Sequence, residues 1–106
     1  MARYLVIWRQ NPVAPWPTDP AEGLKLTESM WTGIDASMKK GQIKDYGAFL
    51  DGRSGYAIGE GDPADVLRSV GMFMPFVISE VHEVVPYEKE KEAWRDVYKA
   101  WIKARK

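Results

Sequence analysis

The stretch Val77-Ile78-Ser79-Glu80-Val81-His82-Glu83-Val84 sets a carboxylate and an imidazole two residues apart. In an extended strand alternate side chains share a face, so Glu80 and His82 point the same way. Directed into a covered cavity, such a pair can take a proton from a substrate at neutral pH and return it elsewhere. The two positions lie roughly 7 Å apart along a strand, which favours a substrate or water between them over direct pairing. The competing reading is structural: charges on an edge strand discourage edge-to-edge aggregation. His82 is the sole histidine and cysteine is absent, so the sequence implies no metal site, no reactive thiol and no cofactor.

The elements that must position this pair are bounded by composition. A chain of 106 residues suits one domain. Fifteen basic residues balance fifteen acidic ones, so no overall field draws the protein to nucleic acid or to anionic lipid. The absence of cysteine suits a reducing cytoplasm. The apolar run Tyr4 to Trp8 is too short for a signal peptide core or a membrane span and reads as a strand.

Asp-Pro-Ala followed by an acid occurs twice, at 19–22 and 62–65. Asp accepts from the free amides of a first helical turn, and Pro in the next position has no amide to leave unpaired. Helices are therefore predicted from Pro20 and Pro63. The first carries Leu24, Thr27, Trp31, Ile34 and Met38 at helical spacing and stops at Lys39-Lys40-Gly41; the second carries Val66, Leu67, Val70 and Phe73 and ends before Pro75. Strand-like runs cover Ala2 to Arg9, Lys44 to Leu50, Gly55 to Glu60 and Val77 to Val85, with a hairpin signal at Asp51-Gly52. The order β-α-β-β-α-β is the split βαβ, or ferredoxin-like, α+β arrangement: a four-stranded antiparallel sheet over residues 1–86 with both helices on one face. Residues 87–106 form a further amphipathic helix, striped by Trp94, Val97, Tyr98, Trp101 and Ile102, that must pack on the same domain or on a dimer partner. Its cationic end, Lys99, Lys103, Arg105 and Lys106, reads as a solvated helix terminus.

A sheet face left open by the helices needs a cover. Periodicity groups Tyr4, Val6 and Trp8; Tyr56, Ile58 and Glu60; and Ile78, Glu80, His82 and Val84. These sets are assigned together to the open face, because small Ala57 and Gly59 on the other side of the third strand would let a helix approach. There Glu80 and His82 are the candidate catalytic residues, while Trp8, Tyr56, Tyr4 and Arg9 are candidates to hold substrate, Arg9 and Tyr56 by stabilising an oxyanion. Tyr46 is a further aromatic able to line a pocket, and the Pro-rich loop "NPVAPWPTDP" is of a kind that can lid a cavity with Trp16.

The runs "DPAEGLKLTESMW", "MKKGQIKDYGAF", "GYAIGEG" and "DPADVLRSVGMFMPFVISEVHEVVP" together resemble the muconolactone isomerase family of the dimeric α+β barrel superfamily. The resemblance implies a homodimer whose two sheets face each other around an apolar cavity. It further implies chemistry of the kind done by a cofactor-free isomerase or a small monooxygenase on a hydrophobic or lactone-like metabolite. The alternative is a non-catalytic module that binds a small apolar ligand or a protein. RNA binding shares the fold order, and "RSGYAIGE" partly resembles the third-strand signature of the RNA recognition module. Ile58 in place of the second aromatic, the acid Glu60 and the neutral net charge count against it.

Overall fold

Both Asp-Pro sites open helices as their chemistry requires. In the computed structural model, which describes residues 2–105, α1 spans Pro20–Lys39 and α2 spans Pro63–Gly71. Asp19 accepts from the amide of Glu22 at 3.2 Å, and Asp62 from that of Ala64 at 3.1 Å. Past α1, Gly41 adopts φ 77°, a conformation that closes the helix end and disfavours any residue with a Cβ. Of the cationic residues expected at the end of the last helix, Lys106 lies outside the described residues, as does Met1 at the other terminus.

The strands are β1 (Arg3–Gln10), β2 (Ile43–Ala48), β3 (Ser54–Glu60) and β4 (Val77–Val84), followed by α3 (Tyr87–Ala104). They form one antiparallel sheet in the order β2-β3-β1-β4, the ferredoxin-like α+β topology. β1 is central, and β4 with its Glu80 and His82 is an edge strand. The β2–β3 hairpin closes at Asp51-Gly52, where Gly52 takes φ 74°. Asp51 holds this turn from within: its carboxylate accepts from the amides of Arg53 (2.9 Å) and Ser54 (3.2 Å) and from the Ser54 hydroxyl (3.0 Å).

Burial is shallow. Tyr4, Ile34 and Ala57 are the buried apolar side chains, only 6–7% exposed, and they lie between the sheet and the helix layer. Along α1, Leu24, Trp31 and Met38 stay about half-exposed, and Leu67 on α2 is more so. Helix α3 leaves the body altogether. All its described residues are exposed except half-buried Lys91, so α3 does not pack on its own domain. The molecule measures 69 × 28 × 24 Å with a radius of gyration of 18.7 Å. A compact chain of this length has about 13 Å, and a helix of 18 residues adds about 27 Å of length when it projects. No described helix is long and apolar enough to cross a membrane.

The Asp51 contacts give a pH test. Hydrogen bonds, first from the Arg53 amide and then from the Ser54 hydroxyl, hold the Asp51 carboxyl below its usual range. A depressed folded pKa stabilises the fold above the unfolded pKa of about 3.9, and the contribution is lost as pH falls through the folded value. Asp51→Ala should therefore melt at a lower temperature than wild type at pH 5 to 7. The difference should shrink as pH drops below about 4; thermal unfolding across that range checks it, and a gap that persists undiminished into acid would assign the turn's stability to another group.

Candidate functional site

The sheet has two chemically different faces, and β1 decides which is which. Tyr4, Val6 and Trp8 pair across the ladder with Gly59, Ala57 and Gly55 of β3. Large β1 side chains therefore lie over small β3 residues, and the Trp8 ring covers Gly55 so closely that a Cβ there would run into it. The helices pack on this side. The expectation that Tyr4, Val6 and Trp8 share the open face with Tyr56 and His82 is thus corrected: β1 turns them toward the helices and presents Leu5, Ile7 and Arg9 on the open side. The assignment of Ala57 and Gly59 to the helix side holds, as does the grouping of Tyr56, Ile58 and Glu60 with Glu80 and His82.

Between sheet and helices is a cavity of about 160 Å³. Val6 and Trp8 form its floor with Ala57; Tyr46 contributes from β2; Thr27, Met30, Trp31 and Ile34 come from α1, and Val66, Val70 and Phe73 from α2. Trp8 and Tyr46 stack, with centroids 5.6 Å apart and planes 6° from parallel. Trp16, from the Pro-rich loop, also lines the cavity. Its indole N–H donates to the Asn11 carbonyl at 2.6 Å and its ring meets Phe76 edge-on at 4.9 Å. Asn11 in turn donates from Nδ2 to the Pro75 carbonyl at 3.0 Å, tying the loop to the chain entering β4.

Two polar atoms on this face are buried without a hydrogen-bond partner among the described residues: Trp8 Nε1 and the Tyr4 hydroxyl. Burial of an indole N–H or phenol without a partner is unfavourable, so each marks a place where a partner belongs. Trp8 lines the cavity; Tyr4 does not. Burial raises the Tyr4 pKa, with the Glu83 and Asp62 carboxylates adding to it, so the hydroxyl keeps its proton. Burial likewise raises that of Tyr46.

On the open face His82 Nε2 and Glu80 Oε2 are 2.7 Å apart. This corrects the expectation of a gap: the two backbone positions are separated as a strand requires, but both side chains extend and lean together over the free edge. The pair is exposed, Glu80 by 70% and His82 by 57%. Across β1 stand Ile7, opposite Glu80, and Leu5, opposite His82. Arg9 is exposed on the same face, opposite Ile78 and Ser54. Tyr56 is committed elsewhere: its hydroxyl donates to Asp45 Oδ2 at 2.8 Å, which leads the causes that raise its pKa. Glycine at 47 makes room for this ring, since a Cβ there would stand 2.7 Å from Tyr56 Cε1.

The six residues singled out from the sequence are thus divided by the sheet. Glu80, His82, Tyr56 and Arg9 occupy the open face, Trp8 and Tyr4 the helix face. The α1 and α2 walls of the cavity were legible only as helix stripes. Large residues paired with Gly55, Ala57 and Gly59 were the signal that would have located the cavity floor. Among the described residues, no group of three or more His, Cys, Asp or Glu side chains is placed to hold a metal ion. No protein-family model matches the chain, and no curated protein matches it.

Removing the orphaned phenol tests its isolation. Tyr4→Phe keeps the ring and deletes the unpaired hydroxyl, so the melting temperature should rise. A lower melting temperature would mean that the hydroxyl has a bonded partner in solution.

Proposed function

We propose that the protein binds a small, mainly apolar molecule carrying one hydrogen-bond acceptor in the cavity between its sheet and its helices. The observation that carries this reading is Trp8, whose ring lines the apolar cavity while its buried indole N–H lacks a partner. Mainly apolar walls supply affinity; the buried indole N–H of Trp8 and the polar side chains of the lining, Gln10, Gln42, Ser69 and Ser79 among them, are the groups that can orient a ligand's acceptor. The volume is in the range that accepts one ring, since a cavity of about 150 Å³ admits benzene. Acetophenone is a suitable probe, with α-methylstyrene as its counterpart of the same shape lacking the acceptor. Trp8→Phe should weaken acetophenone about five-fold, the value of one net hydrogen bond, and alter α-methylstyrene by less than about two-fold. Equal losses for both probes would make Trp8 a packing residue only.

A second reading rests on the Glu80–His82 contact. In this reading the protein is a cytoplasmic homodimer of the muconolactone isomerase-like kind, and a second sheet covers the open face. His82, oriented by Glu80, then acts as a base without a cofactor, moving a proton next to a lactone carbonyl, with Arg9 facing the developing oxyanion. The contact supports this because an imidazole bonded to a carboxylate is fixed in orientation. Solvent deuterium exchange beside the carbonyl of a simple butenolide tests it. His82→Ala should abolish enzyme-dependent exchange while the fold is retained, and unchanged exchange would remove His82 from any mechanism.

A further inference from the structure

Helix α3 presents an apolar stripe with nothing from the body of the chain against it among the described residues. Trp94, Tyr98 and Trp101 are each more than half exposed and Ile102 is 62% exposed, on a helix that projects from the body. Such a stripe needs a partner surface. Its ends carry the information about which one. Glu90 lies four residues before Trp94 and seven before Val97; Arg105 lies four after Trp101 and seven after Tyr98. At helical spacing both fall on the stripe itself, an acid at its start and a base at its finish. Among the described residues neither makes an ion pair within the chain, whereas nearby Lys91 is engaged by Glu88 at 3.1 Å and by the Tyr87 ring at 4.6 Å.

We propose that α3 is a self-association arm that pairs antiparallel with α3 of a second copy of this chain. A two-fold interface must be self-complementary, and this stripe is so in one direction only. Antiparallel pairing sets Glu90 opposite Arg105 of the second copy, and Arg105 opposite its Glu90. The same register sets Trp94 against Trp101 and Val97 against Tyr98, so the bulky residues meet and the symmetry axis passes beside Val97. Parallel pairing would instead bring Glu90 to Glu90 and Arg105 to Arg105, an unfavourable arrangement of like charges. A lipid surface fits less well, because the polar side of α3 carries Glu88, Glu92 and Asp96 among its bases and is not a cationic face. The proposal does not depend on the cavity reading, since α3 contributes nothing to that site.

The absence of cysteine makes the test clean. In the full chain, Val97→Cys places one thiol beside the proposed axis, and Asp96→Cys places one on the opposite side of the same helix. Under mild oxidation at low protein concentration, the Val97→Cys chain should form disulfide-linked dimers at least about ten-fold faster than the Asp96→Cys chain. Adding Glu90→Arg to Val97→Cys should slow linkage several-fold, and adding Arg105→Glu as well should restore it. Linkage no faster through position 97 than through 96, or a double charge exchange that fails to restore it, would overturn the proposal. Binding of the unlinked chain to anionic vesicles would do the same.

Discussion

The packing of Trp8 over Gly55 is the contact on which the rest of the architecture depends. Trp8 sits on the central strand, directly across the ladder from Gly55, and only glycine leaves the ring room to lie there. A slip of one residue would turn the whole β1 set to the opposite face and bring Leu5 and Ile7 beneath the helices. The large-over-small match thereby fixes the register between β1 and β3. It also determines which face the helices cover and sets the Trp8 ring at the base of the space they enclose. Cavity, open face and edge pair all follow from that one alignment.

The sheet consequently keeps two kinds of chemistry apart. On the helix side stand apolar and aromatic walls, with the unpaired indole N–H of Trp8 in one of them, suited to holding a molecule and giving it an orientation. On the other side are an exposed carboxylate and imidazole in mutual contact, beside Leu5 and Ile7, suited to proton transfer once covered. Solvent around an exposed pair screens its charges. Catalysis on that face requires a second molecule to exclude water, whereas binding on the helix face requires only the subunit. This difference in what each site needs is why the cavity reading leads.

Much of this fold was legible in the sequence for identifiable reasons. Asp19-Pro20 and Asp62-Pro63 combine a cap acceptor with a residue lacking an amide, and both helices begin there. Asp51-Gly52 supplies the acceptor and the positive φ that a tight hairpin needs. The faces of β1 were not legible from alternation, because Tyr4, Val6 and Trp8 alternate with equally apolar Leu5 and Ile7. Hydrophobic period alone cannot choose between two apolar sets, but the bulk of Tyr4 and Trp8 against Gly59 and Gly55 can. The contact between Glu80 and His82 was missed because backbone spacing limits the Cα positions and not the reach of two long side chains at a free edge. The stripe of α3 was evident from spacing, while its separation from the body is a tertiary fact that no local pattern encodes.

The most direct measurement is the set of indole N–H resonances in a ¹⁵N-labelled sample titrated with acetophenone. The chain has five tryptophans, and Trp8→Phe assigns the resonance of interest. Binding in the helix-side cavity with Trp8 as donor should move the Trp8 signal progressively downfield, with smaller shifts for cavity-lining Trp16 and Trp31 and none for Trp94 and Trp101. A Trp8 signal that stays in place while Trp94 and Trp101 move would contradict the cavity as the binding site and would place the ligand on the projecting helix.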